Sequence, residues 1–511
     1  MVAQNFQWLR KYFRFLNCAE LWVVSLPFLV YLNALPSELV FDDSSAIKEN
    51  QDLRPSTSWS NLFWNDYWGT PMNQERSHKS YRPITVLSFR LNYLIHGLDP
   101  LGYHLVNVLL HCMVCYQFFR FCLGYLERDA AFFSTLHFAF HPIHTEAVTG
   151  VVGRAELLSA VVFLSIISLY KRVCTLKRLK DITLLAIVSI LLFAGTLCKE
   201  QCITVVGVLA SLSIFKSYWV YVQLSDHLGK PHPKSSSSLW HRITTVSKRS
   251  DFGGICLLSF VSVLILYFRC AMMDWKLPHF TEFDNPAAHS PTLVRRLTHL
   301  YLVSFNLWLM LFPSGLCADW TLGSIRLITG WLDLRNVATV IGFSLLCLLL
   351  MPSFHSKRPY RYCRVLFTAL CLMVFPFLPA SNLLFPVGFV VAERVVYISS
   401  FGLSLLFGLG YQSFAQFLTK QRFRKVALVS RFFRFLPLTL IGIVYLAFVC
   451  KTVDRNFEWM NEYSLFSSAL KVNPNNAKMW NNVGHSLEAL GQFEQALGYF
   501  RTAVKCVHVD R

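Results

Sequence analysis

Charge is what this chain is short of: Asp, Glu, Lys and Arg make up 15% of its 511 residues, against roughly a quarter in a soluble globular domain. So few charges cannot cover a water-soluble surface, and with 54% hydrophobic and 15% aromatic residues the solvent of this chain is a membrane. Acid is scarcer still. With 29 Asp+Glu against 48 Lys+Arg the formal charge is +19, an excess that in a polytopic protein sits in cytoplasmic loops facing anionic lipid rather than on nucleic acid. Residues Met1 to Lys11 also lack the layout of a cleaved signal. The first apolar run, Leu21 to Leu35, follows Arg10, Lys11 and Arg14 and ends without a small-residue cleavage site, which reads as a retained signal anchor with a cytosolic N-terminus. The 15 cysteines lie mostly in apolar runs, as at Cys112, Cys115, Cys256 and Cys347. They read as small core residues rather than as a disulfide or zinc framework.

What is present is a series of apolar runs near 19–35, 103–124, 130–147, 155–170, 181–197, 201–219, 253–272, 336–351, 363–379, 399–418 and 433–450. The expected fold is therefore an all-α polytopic bundle of about eleven transmembrane helices. Four connections are basic: 171–180, 229–249, 355–364 and 420–425. A first span entering from the cytosol places all four in the cytosol only if 297–313 does not cross, so that segment is expected to be re-entrant or interfacial. The opposite, luminal face then receives a first loop over 36–102, a further loop over 274–335, several short turns and the chain after 450, where most of the acidic residues collect.

Residues 477–508 change register. Trp480, Val483, Gly484, Leu487, Ala496, Phe500 and Ala503 match the helix-turn-helix tetratricopeptide pattern, and Phe466, Ala469 and Pro474 match the second helix of a preceding repeat. The expected division is a membrane domain over 1–450 and a repeat segment of one and a half units over 451–511. At least about three stacked units are normally needed to bury a continuous core, so the array reads as cut short.

Candidate chemistry sits in the far-side loops. Asp42 and Asp43 follow the first span; adjacent carboxylates repel, so one takes up a proton more readily and serves as a base, or else the pair forms an Asx turn capping the next helix. His78, Lys79, Arg82 and Arg90 either bind a phosphate or anchor the loop. Glu146, Arg154 and Glu156 lie at a turn between spans, where unpaired charge is costly, so they are functional candidates unless they neutralise one another. His141 and His144 share a helical face without a third ligand nearby and read as hydrogen-bonded structural residues. Lys199 with Glu200, and Glu393 with Arg394, form two charged caps, either simple ion pairs or cradles for an anionic leaving group.

Taken together, FDDSSAIKENQDLRP, WNDYWGTPM, SHKSYRP, YHLVNVLLH, HPIHTEAVTGVVGRAELL, TLCKEQ, FDNPAA, ADWTLGSI and FPVGFVVAERVVYI resemble, in order, the transmembrane and tetratricopeptide-repeat O-mannosyltransferase family, from about Asn33 to Val507. The resemblance implies a GT-C type glycosyltransferase of the endoplasmic reticulum with luminal repeats, moving mannose from dolichyl phosphate mannose to Ser or Thr of proteins such as cadherins. It implies Asp42 and Asp43 as the catalytic pair, Asp43 preferred as base of an inverting transfer, and Arg82, Arg154, Lys199 and Arg394 as contacts to the donor phosphate. Glu146, Glu156, Glu200 and Glu393 are the supporting acids, and neither metal nor cofactor is expected. Cys202 stands where the family usually has Gly after KEQ. Two rival classes remain. A transporter would show internal inverted repeats, of which the sequence has no sign, and a membrane adaptor would need fewer spans.

The charge parity predicts that a glycosylation acceptor inserted near Asn50, or appended after Arg511, is modified in the endoplasmic reticulum, whereas one inserted among Ser235 to Ser238 stays bare. Modification at the serine run would overturn the eleven-span arrangement.

Overall fold

The computed structural model describes residues 18–173, 179–227, 252–276, 278, 280–321, 323–420 and 427–509. Among the described residues the structure is helices and loops, with one isolated bridge between Asn65 and Pro71. The longer helices are α1 (Ala19–Val30), α2 (Pro83–His96), α3 (Pro100–Cys122), α4 (Arg128–Ala139), α5 (Arg154–Tyr170), α6 (Leu179–Cys198), α7 (Val205–His227) and α8 (Phe252–Met272). They continue with α9 (Thr292–Leu311), α10 (Arg335–Leu350), α11 (Tyr360–Phe377), α12 (Ser400–Lys420), α13 (Ala427–Glu458), α14 (Glu462–Val472), α15 (Ala477–Ala489) and α16 (Phe493–Val509).

α3 is the axis of the bundle. Pro100 at its first turn loses no intrahelical bond, and Asp99 accepts from the Leu101 N–H at 3.1 Å, so the start is fixed locally. α1, α4 and α5 pack around it, α6 follows on α5, and α12 packs between α4 and α11. At the centre Phe118 stacks on Phe401 at 4.8 Å, with Phe138 of α4 closing the cluster at 4.7 Å from the same ring.

Seven helical segments are long and apolar enough to cross a membrane: Pro100–Cys122, Val151–Tyr170, Lys180–Cys198, Glu200–Gln223, Phe252–Met272, Arg335–Phe354 and Tyr360–Ala380. Ala19–Ala34 is a shorter apolar helix. Two of the seven show why the solvent must be lipid: α8 exposes Phe260, Val263, Leu264 and Tyr267, and α10 exposes Val337, Val340, Ile341 and Leu348. The runs expected at 399–418 and 433–450 fall on α12 and α13. α9 carries the 297–313 run but is not among the seven; Arg295 and Arg296 open it, and His299 and Asn306 are buried within it.

The run at 130–147 is not one continuous helix as expected. α4 stops at Ala139, the chain turns through Pro142–His144 and re-forms a short helix over Thr145–Val148. The ring of Pro142 drives the preceding residue out of the helical region, and His141 is extended (φ −66°, ψ 120°) with its Nδ1 accepting from the Ile143 N–H at 3.3 Å.

The 450/451 boundary falls inside α13, which runs unbroken to Glu458. Asn461 and Ser464 then form a reciprocal capping box that starts α14. α15 and α16 pair as a helical hairpin in which Val483, Leu487, Ala496 and Ala503 are buried. Gly484 lies against the Phe500 ring, where a Cβ would collide with it, so the small residue sets the close approach of the two helices.

Candidate active site

The site begins with a strained residue. Phe41 adopts a left-handed backbone (φ 57°), a conformation costing about 1 kcal/mol or more for a bulky side chain. Its ring is held edge-on by Phe466 of α14 at 5.9 Å and lies 5.3 Å from the Lys478 ammonium of α15. Past this kink the two aspartates point apart. Asp43 is 1% exposed and accepts two backbone amides, from Val152 at 2.7 Å and Val151 at 3.1 Å. Asp42 turns the other way, its side chain 26% exposed, and accepts from Arg394 Nη2 at 2.8 Å.

The capping alternative takes an unexpected form. No Asp43 side-chain bond caps the Ser44–Lys48 turn; the carboxylate caps the Val151–Gly153 turn instead. Gly153 lets that turn fold flat, since a Cβ there would collide with the Ala147 carbonyl. Burial pushes the Asp43 carboxyl up to about 7, against the pull of the Val152 and Val151 amides.

Arg394 is the hub. Besides Asp42, its Nε lies 3.4 Å from Glu146 Oε1 and 3.9 Å from Glu156 Oε1, and its backbone N–H donates to Glu146 Oε2 at 2.9 Å. Burial pulls the guanidinium down, and the carboxylates of Asp42, Glu146 and Glu156 more than reverse this, holding it above its ordinary value. Glu156 is also paired with Lys199. Alongside, Arg82 grips Glu200 through two bonds of 2.9 and 3.0 Å, and Arg269 of α8 donates to the carbonyl of neighbouring Tyr81 at 3.0 Å.

Neither Lys199 with Glu200 nor Glu393 with Arg394 pairs internally. Lys199 goes to Glu156 while Glu200 goes to Arg82. Arg394 faces the cluster while Glu393, fully buried, accepts from the Cys317 N–H at 2.6 Å and lies 3.9 Å from Arg455. Burial holds the Glu393 carboxyl well above the usual carboxylate range, with Arg455 offsetting only part of the rise.

Arg154 is not placed among the exposed cations. It is fully buried, and it donates to Asn107 Oδ1 (2.9 Å), Asn92 Oδ1 (2.8 Å) and the carbonyls of Tyr103 (2.9 Å) and Ser88 (3.3 Å), tying α2, α3 and α5 together. It has no carboxylate partner among the described residues. Arg90 and Lys79 likewise anchor the first loop: Arg90 donates to the carbonyls of Asp52 and Ser58 and stacks 4.1 Å from the Trp59 ring, and Lys79 donates to those of Met72 and Gln74. His78 is held by its backbone to Asp66. His141 and His144 bond to the Met310 carbonyl and the Ser400 hydroxyl, both at 2.8 Å. Cys202 is buried with its Sγ against Gly195.

The arrangement is a rim of Asp42, Arg394, Arg82 and Glu200, between 17 and 38% exposed, above a buried floor of Glu146, Glu156 and Lys199. A carboxylate beside guanidinium groups can take a proton from a hydroxyl while an anion is held next to it. Sequence reasoning missed Arg269 and Tyr67. The former was legible as a lone cation late in an apolar run; the latter, whose hydroxyl donates to the Val152 carbonyl at 2.9 Å, had no signal beyond its place in the first loop.

The fold and this cluster define a polytopic all-helical membrane protein with converging charge at one end of its bundle. Residues 274–347 match the family model described as Protein O-mannosyl-transferase TMTC, DUF1736. The chain is 45% identical over 483 residues to human Protein O-mannosyl-transferase TMTC3, which covers 94% of this chain and 50% of that protein. It is 42% identical over 522 residues to Tmtc3 of Drosophila melanogaster, covering 93% and 54%, and 36% identical over 506 residues to mouse TMTC4, covering 94% and 66%. The chain belongs to the TMTC family. It spans about half the length of the TMTC3 relatives it matches.

Removing the shared counter-ion leaves three carboxylates facing one another, so Arg394→Gln is expected to destabilise the protein by about 3–5 kcal/mol. Adding Glu146→Gln to it should restore part of that loss, because the two sites are coupled. Thermal unfolding of the detergent-solubilised single and double variants measures this; strictly additive losses would show that Arg394 does not organise the cluster.

Proposed function

We propose that this chain transfers mannose from dolichyl phosphate mannose to Ser or Thr hydroxyls of secretory-pathway proteins, cadherins among them, with inversion at the anomeric carbon. The names of the TMTC relatives supply the reaction class, a transfer from a sugar donor to a protein acceptor. The observation that carries the reading is the half-open Asp42–Arg394 pair, a carboxylate and a guanidinium 2.8 Å apart on the rim of an otherwise buried charge cluster. The setting proposed is the endoplasmic reticulum membrane, with the N-terminus cytosolic and both the cluster and the repeats luminal.

The base assignment moves from Asp43 to Asp42. Both Asp43 oxygens are engaged by amides and the residue is out of reach of an acceptor, so it positions the Val151–Gly153 turn. In the resting state Arg394 neutralises Asp42. When the donor phosphate arrives it competes for the guanidinium, and the carboxylate is left freer to accept a proton. The acceptor oxygen then attacks the anomeric carbon, its proton passes to Asp42, and the bond from that carbon to the phosphate oxygen breaks. The electron pair leaves with dolichyl phosphate, whose charge is met by Arg394, Arg82 and Lys199. Glu146, Glu156 and Glu200 hold those cations in place. Residues 451–511 present the acceptor-facing repeats.

Asp42→Asn is nearly isosteric but cannot serve as the base, and transfer should fall by about 10²- to 10⁴-fold while protein level and donor binding persist. Asp43→Asn turns an amide NH₂ toward a backbone N–H, so it should lower the folded yield while leaving the rate per folded molecule near that of the parent. The assay is mannose incorporation into a cadherin-domain acceptor in cells lacking the endogenous enzyme, normalised to folded protein. Full activity of Asp42→Asn would overturn the assignment, and unchanged transfer in both variants would place the base elsewhere.

A further inference from the structure

At the other end of α3 the chemistry is different. The helix is 23 residues long, so its far end lies about 35 Å from Pro100. There the turn Leu123–Glu127, the start of α11 and the middle of α12 enclose a cavity of about 660 Å³, within the range of small-ligand sites. Three arginines on one stretch of chain, Arg358, Arg361 and Arg364, line it. Arg364 lies 4.4 Å from the Tyr125 ring and reaches the Gly124 carbonyl at 3.4 Å; Lys171 caps the same ring from 4.5 Å. Among the described residues none of the three arginines is paired with a carboxylate. Glu127 is the one acidic residue in the lining, beside the neutral Gln412 and Gln416.

Three arginines against one carboxylate in a cavity with tyrosine walls, at the membrane end of a bundle, form a receptor for concentrated negative charge. We propose that this cavity seats the phosphorylated headgroup of an anionic membrane lipid, at the face opposite the Asp42 cluster. Guanidinium forks suit phosphate oxygens. Tyr125 and Tyr362 have the amphipathic character of residues at the headgroup level. The charge pattern of the sequence assigns this face to the cytosol, where anionic lipid is enriched. A headgroup with several phosphates engages more of the three arginines than one with a single phosphodiester. A soluble phosphate offers the same oxygens but no acyl chains for the apolar surface beside Leu409 and Val365.

The test uses the purified full chain in phosphatidylcholine micelles doped with phosphatidylinositol bisphosphate, with bound lipid measured by native mass spectrometry. The parent protein should retain the bisphosphate lipid in preference to phosphatidylcholine. Arg358→Gln with Arg361→Gln, which leaves Arg364 and its bond to Gly124 intact, should weaken that retention by about 30-fold. Arg358→Lys with Arg361→Lys should keep most of it, separating charge from misfolding. Equal retention by the parent and the Gln variant overturns the proposal. So does inorganic phosphate binding as tightly as the lipid.

Discussion

One guanidinium determines how this bundle must close. Arg394 has Asp42, Glu146 and Glu156 around it, and each of those groups would cost several kcal/mol if left unpaired in a low-dielectric interior. Asp42 and Arg394 are 352 residues apart in sequence. The first loop, the turn before α5 and the turn before α12 must therefore meet at one end of α3. Lys199 extends the network through Glu156, bringing in the turn after α6, and Arg82 with Glu200 ties in the start of α2. Behind it the neutral bonds of Arg154 and the amide cap of Asp43 hold the same turns without spending a counter-charge.

The repeat helices are joined to this network rather than hung from it. Phe466 of α14 and Lys478 of α15 both hold Phe41, whose left-handed backbone aims Asp42 at Arg394. Lys478 is also paired with Asp319, and Asn476 donates to the Asp319 carbonyl at 3.2 Å, within the segment that matches the TMTC family model. From the same segment Cys317 donates to Glu393, the neighbour of Arg394. The connector between α9 and α10 thus touches the repeats on one side and the cluster on the other.

Much of this was readable in the sequence, and the part that was not has a physical cause. An apolar run such as 253–272 declares a lipid-facing helix by its length and composition, whereas 130–147 read as one span because its apolar character continues across the break at Pro142. The charged doublets stood out, but their partners did not. An extended backbone sends neighbouring side chains to opposite sides, and Lys199 (φ −156°, ψ 135°) is extended, so it separates from Glu200. Glu393 and Arg394 are successive residues of the Glu393–Val396 turn, where side chains fan out about 120° apart around the axis. The aspartates diverge because they are successive helical residues, about 100° apart around the axis, and the left-handed Phe41, which nothing in the local sequence announces, sets the direction of that turn. Arg154 stood out as a functional candidate because an arginine at membrane depth is costly; its cost is met by Asn92, Asn107 and two backbone carbonyls that only the packed helices bring together.

The central claim is that the Asp42–Arg394 pair opens to receive a lipid-linked sugar phosphate. A cryo-EM map of the full chain with a non-hydrolysable dolichyl phosphate mannose analogue tests it most directly. The account predicts the phosphate density against Arg394, the Asp42–Arg394 contact lengthened, and the mannose anomeric carbon facing the Asp42 carboxylate. Phosphate density away from Arg394, with the ion pair intact, would contradict it.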